Sequence, residues 1–166
     1  DIFPSYDPEF RPGDNLFGAS TIALDVDTGK LQWYFQATPD ERWDLDTPQA
    51  RVIYPSSAFG GNMRAVVANF ERQGYYYQFN LDASAAKGAN AEAVFLKASP
   101  YVDKITWTDG IDPKTGKPVE YNPALATQVY KYATLPRTRK TMAQATMHCP
   151  GWSMQNIALQ PTSFDP

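Results

Sequence analysis

The chain has one cysteine, Cys149, and one histidine, His148, in 166 residues. No disulfide can form within it, and a lone thiol is silent on compartment. No apolar run is long enough to span a bilayer, and no signal-peptide pattern is present. An excess of positive charge is also missing. The net charge is −3, which argues against a nucleic-acid partner. The chain opens in a loop-like stretch, "DIFPSYDPEFRPGDN", without a start Met, which leads us to expect a fragment or a processed product.

What is abundant is aromatic and turn-forming material. Ten Tyr, nine Phe and four Trp favour half-buried pleated surfaces, while fourteen Pro and ten Gly predict many turns. This composition points to an all-β domain and against disorder. Charge is uneven. Residues 1–46 carry ten acidic and three basic groups, and the remainder carries a net excess of four basic groups. The acidic excess surrounds "DERWDLD" (40–46), with four carboxylates and one Arg about a Trp. On charge alone this is a solvated acidic face.

Periodicity supports β structure. "STIALDVD" (20–27) and "KLQWYFQA" (30–37) alternate apolar and polar residues about "DTG", which predicts a hairpin. "RAVVANF" (64–70) and "GYYYQFNL" (74–81), joined by "ERQG", predict a second. Further strands are expected at 91–98 and 104–112, a turn at "DPKTGKPVE" (112–120) and a short helix over 124–133, with an irregular tail from 146. Glycine turns recur at Gly29, Gly74 and Gly116, at a spacing suited to one four-stranded propeller blade. Two to three such blades fit the length, as one piece over 1–166 with no internal boundary. Stacked repeats bury their faces on neighbours, so such a piece is expected to need the remainder of the propeller to complete it.

Residues 23–33, "ALDVDTGKLQW", have the form A-x-D-x-x-T-G-K-x-x-W. This resembles the tryptophan-docking motif of quinoprotein alcohol dehydrogenases. The resemblance extends in order through "RPGDNLFGASTIALDVDTGKLQWYFQATPDERWDLD", "ANFERQGYYYQFNLD", "VDKITWTDGIDPKTGKPVE" and "CPG…QPTSFDP", and is poorest over 121–146. It is a resemblance to the dehydrogenases dependent on pyrroloquinoline quinone (PQQ), which fold as eight-bladed β-propellers and are several times longer than this chain. It implies a central slice of a periplasmic enzyme, a partial β-propeller inactive by itself. The implied reaction takes a small primary alcohol to an aldehyde, with cytochrome c as the electron acceptor.

The resemblance also implies roles. Asp44, directly after Trp43, stands where the family has its general base and a metal ligand. Asp46, two residues on, gives the Asp-x-Asp pattern of lanthanide members, where calcium members have a smaller residue. A highly charged cation gains from an additional anionic oxygen. Arg72 stands where a cation bonds the quinone oxygens. In the tail, Ala158 and Leu159 occupy the positions of a cofactor-contacting Asn and its Trp, and Asn156 stands two residues away. His148 and Cys149 read as structural, because adjacent residues seldom form a nucleophile–base pair. The other metal ligands and the Trp that stacks on the quinone lie, in the family, in segments before residue 1. The alternative is a non-catalytic propeller scaffold or binding module, and Asp44 together with Arg72 discriminates against it.

Overall fold

A computed structural model describes residues 11–42, 45, 47, 49–81 and 94–131. Within them lie six strands: β1 (Ser20–Leu24), β2 (Leu31–Gln36), β3 (Val52–Ser56), β4 (Arg64–Phe70), β5 (Tyr75–Asn80) and β6 (Phe95–Pro100). β1 and β2 form a two-stranded antiparallel sheet, and β3-β4-β5-β6 form a four-stranded antiparallel meander. The four-stranded unit has the strand number and order of one propeller blade.

The first hairpin forms because its turn chemistry is complete. The Asp25 amide donates to the Lys30 carbonyl at 2.8 Å, and the Asp25 carboxylate accepts from the amide and the hydroxyl of Thr28. Gly29 closes the loop at φ 68°, a conformation that costs other residues about 1 kcal/mol or more. The second expected hairpin is β4–β5. On β5, Tyr75, Tyr77 and Phe79 are buried and alternate with partly exposed residues, the period-two pattern seen in the sequence. β4 is buried on both faces, Val67 toward one cluster and Val66 and Ala68 toward another.

The core lies between the two sheets. Trp33 is 3% exposed and packs on Phe79, with ring centroids 6.0 Å apart. Phe35 meets Tyr77, Phe79 and Phe95 at 5.5, 4.9 and 5.7 Å. Such pairs add about 0.5–1.5 kcal/mol each beyond area burial. The expected packing of Trp33 between sheets is therefore what the fold shows.

Other expectations need correction. β3, which contains Pro55, was not among the expected strands. It is an edge strand, where a missing amide costs no ladder bond. The strand expected at 91–98 is instead Phe95–Pro100, and 91–93 fall outside the described residues. Residues 104–112 form no strand beyond one bridge, Ile111 to Pro118. The backbone pairing is limited to the Val119 amide with the Gly110 carbonyl and the Asp112 amide with the Lys117 carbonyl, while Glu120 accepts from the Asp109 amide at 2.7 Å and the Thr108 hydroxyl accepts from the Gly110 amide. Residues 124–131 are not helical. The Gln128 amide, which a helix would direct to residue 124, donates to Asp40 instead.

Candidate active site

Residues 37–42 leave β2 and run inward. Asp40 is 1% exposed, and Glu41 and Arg42 are also buried, so this part of the acidic stretch is not a solvated face. Asp40 adopts a left-handed φ of 52°, which Asp tolerates better than most residues. Its carboxylate accepts from the Gln128 amide at 2.8 Å and lies 3.4 Å from the Arg42 guanidinium, which in turn donates to the Gln128 carbonyl at 2.5 Å. Burial raises the Asp40 pKa above its ordinary value, and the Gln128 amide and Arg42 oppose that rise. The Glu41 carboxylate accepts from the Leu45 amide at 3.1 Å, closing a ring around residues 43 and 44.

The far side of the motif is held by Arg51. Its guanidinium donates to the carbonyls of Thr47 and Gln49 and to the Thr21 hydroxyl on β1. The "DERWDLD" stretch is thus anchored before and after its two C-terminal aspartates. Trp43, Asp44 and Asp46 themselves lie outside the described residues, as do His148, Cys149, Asn156, Ala158 and Leu159.

Arg72 sits in the β4–β5 turn and is 7% exposed. Beside it, Glu71 is fully buried. Burial pushes its pKa up to about 7, against the stabilising donation from the Asn69 amide group at 2.6 Å and the field of Arg51. Arg51 therefore grips residues 47 and 49 while its charge acts on Glu71. A second link runs from the Arg72 turn to Pro39. The Trp107 indole donates to the Gln73 carbonyl at 2.9 Å, Trp107 packs edge-on to Tyr130, and the Tyr130 hydroxyl donates to the Pro39 carbonyl at 2.7 Å.

Asp40, Glu41, Arg42, Arg51, Glu71, Gln128 and Tyr130 were not singled out from the sequence as site residues. The density of charge in 40–42 signalled only the first three, reading equally as solvated surface, and nothing local signalled the other four. Among the described residues, the buried Asn69 Oδ1 and Glu71 Oε2 have no hydrogen-bond partner. Both atoms are acceptors and fit a donor, whereas the positive charge that fits an anionic cofactor is the buried Arg72 guanidinium. No group of three or more His, Cys, Asp or Glu that could hold a metal occurs among the described residues.

Residues 5–84 match the PQQ family model described as glucose/ethanol/alcohol dehydrogenase, β-propeller domain. The chain belongs to the PQQ-dependent quinoprotein alcohol dehydrogenase family. It is 37% identical to quinoprotein alcohol dehydrogenase PedH of Pseudomonas putida over 119 residues, 72% of this chain and 18% of that protein. Among solved structures it resembles quinohemoprotein alcohol dehydrogenase ADHIIG from Pseudomonas putida HK5, with TM-score 0.57 and 33% identity over 69% of this chain and 16% of that one. A europium-containing methanol dehydrogenase aligns with TM-score 0.71 over 97% of this chain and 24% of that one, at 23% identity, a likeness of fold. The chain thus spans under a quarter of the length of each of these quinoproteins. The fold is that of a partial all-β quinoprotein propeller. Among the described residues no helix is long and apolar enough to cross a membrane.

Proposed function

We propose that residues 1–166 form one continuous piece, without an internal boundary, of a periplasmic PQQ-dependent alcohol dehydrogenase that oxidises a small primary alcohol to an aldehyde and passes electrons to a cytochrome c. The observation that carries this reading is the buried Arg72 turn, tied through Gln73, Trp107 and Tyr130 to the segment leading into Asp44.

When bound, PQQ supplies the hydride acceptor and a calcium or lanthanide ion supplies the Lewis acid. The chain's own residues do the rest. Arg72 would hold the quinone oxygens with a fixed, desolvated positive charge. The Asp44 carboxylate takes the proton of the alcohol hydroxyl and is a ligand to the cation. Asp46 adds a second carboxylate two residues on. Two adjacent carboxylates repel when ionised, and a multivalent cation between them relieves this, a trivalent ion more than calcium. The pattern supports a lanthanide.

Replacing Arg72 by Ala in the full-length enzyme should lower kcat by about 10²–10³, with a much smaller change in unfolding midpoint. Retained turnover with lost stability would leave Arg72 a structural residue. Asp46→Ala should lose lanthanide-supported alcohol oxidation after reconstitution with PQQ. If that variant keeps it, or if the wild type works only with calcium, the lanthanide assignment falls while Asp44 still stands.

A further inference from the structure

The segment where the resemblance to the family is poorest, 121–146, contains the stretch that grips residues 39–42. Its described part, 121–131, makes three backbone-directed contacts with residues 39–42. The Gln128 amide donates to Asp40, the Gln128 carbonyl accepts from Arg42, and the Tyr130 hydroxyl donates to the Pro39 carbonyl. Two more contacts reach the stretch preceding β1: the Gly13 amide donates to the Ala126 carbonyl at 2.6 Å, and the Tyr121 hydroxyl donates to Asp14 at 2.6 Å.

The strap holds its own shape through one side chain. The Gln128 carboxamide, 1% exposed, donates to the carbonyls of Asn122 and Leu125 and accepts from the Asn122 amide at 3.0 Å. Gln128 is therefore the point where the loop's internal fold and its grip on Asp40 and Arg42 coincide. From there the restraint runs on. Asp40 and Arg42 face the strap, while Glu41 between them closes onto the Leu45 amide, across the two residues Trp43 and Asp44. Slack at Gln128 passes directly to that ring.

We propose that Gln128 is a positioning residue, and that the strap 121–130 sets the placement of the Asp44 carboxylate through Asp40, Arg42 and the Glu41–Leu45 ring. This rests on the enzymatic reading above. Reactions that depend on a near-attack geometry lose rate steeply with small displacements, so the effect should fall on kcat and not on KM.

The test uses the full-length protein and two readouts. The first is amide hydrogen exchange of residues 39–47 with neither PQQ nor metal added. In Gln128→Ala it should be about 10-fold faster than in wild type, with exchange of 64–80 unchanged. The second is alcohol oxidation after reconstitution with PQQ and metal, where kcat should fall about 10-fold with KM within about two-fold. Asp40→Asn, which keeps an acceptor for the Gln128 amide and tolerates the left-handed backbone, should lie nearer wild type than Asp40→Ala in both readouts. If Gln128→Ala also loses protection in 64–80, the Asp40 pair decides. Unchanged exchange in 39–47, or faster exchange with unaltered kcat, would overturn the proposal. A wild type that binds no PQQ and oxidises no alcohol would instead overturn the enzymatic reading, and with it any role of Gln128 in that reaction.

Discussion

The turn at 25–30 and the turn at 112–117 share the pattern D-x-x-T-G-K and the same internal geometry. In each, the first Asp amide donates to the Lys carbonyl at 2.8 Å, the Gly amide donates back to the Asp carbonyl, and the Asp carboxylate accepts from the Thr amide. Their surroundings differ. Eight residues after the first Asp stands Trp33, wedged against Phe79, whereas eight after the second stands Glu120, which bonds Thr108 and Asp109. Gly29 faces open space, but a Cβ on Gly116 would lie 2.5 Å from the Phe95 ring. Lys117 reaches the Gln36 carbonyl at 2.6 Å and sits over the Phe35 ring. One short code builds both turns, and only their neighbours make one a wedge carrier and the other a latch. A third turn, Glu71–Tyr75, lacks the code and places a carboxylate in the core.

The sharpest break between the first two turns should come at the eighth position. Trp33→Ala should cost about 3–5 kcal/mol in chemical denaturation, since it opens a cavity between the sheets. Glu120→Gln should cost under about 1 kcal/mol, because it keeps an acceptor.

The third turn should separate from the other two by pH. Burial raises Glu71 from 4.5 to about 7, so its contribution to stability is full below 4.5 and is lost as pH rises through 7. At roughly 1.4 kcal/mol per unit this amounts to about 3 kcal/mol. Urea midpoints taken from pH 4.5 to 8 should fall in wild type relative to Glu71→Gln by about that amount. Parallel curves would mean that Glu71 keeps its proton, or its charge, across the range.

A smaller gap should separate the two glycines. Gly116→Ala carries both overpacking against Phe95 and a left-handed backbone, about 2–3 kcal/mol together, while Gly29→Ala carries only the backbone term, about 1 kcal/mol. Thermal unfolding of the two variants compares them directly, and equal losses would show that the Phe95 ring yields.

The smallest effect belongs to the two aspartates that open these turns, both half-buried. Donation from Thr28 to Asp25, and from Thr115 and Lys114 to Asp112, holds both below the usual 3.8. Their contributions are present above that value and are lost as pH falls through the lowered ones. Asp25→Asn and Asp112→Asn should each flatten the acid limb of the stability curve slightly and equally. Unequal changes would show that Lys117's latch, and not the turn itself, sets the Asp112 environment.

The sequence by itself determined the hairpins 20–36 and 64–80, the turns at Gly29 and Gly116, and the wedge role of Trp33. Period-two alternation and turn chemistry are local, and local rules suffice for them. It also carried enough collinear pattern to place the chain among the quinoproteins. Three things were decided only by tertiary structure. The run at 40–42 is interior because Gln128, 88 residues from Asp40 and 86 from Arg42, bonds the first through its amide and the second through its carbonyl, while Arg42 offsets the Asp40 charge. Residues 124–131 are a strap and not a helix because their amides and carbonyls find partners on other segments. Within residues 104–112 pairing is confined to 110–112, which bond 117–119, because Glu120 takes up the Asp109 amide and the Thr108 hydroxyl. Each depends on a partner far along the chain or on a side chain competing with the backbone, and no local pattern of charge or hydropathy records where such a partner will stand.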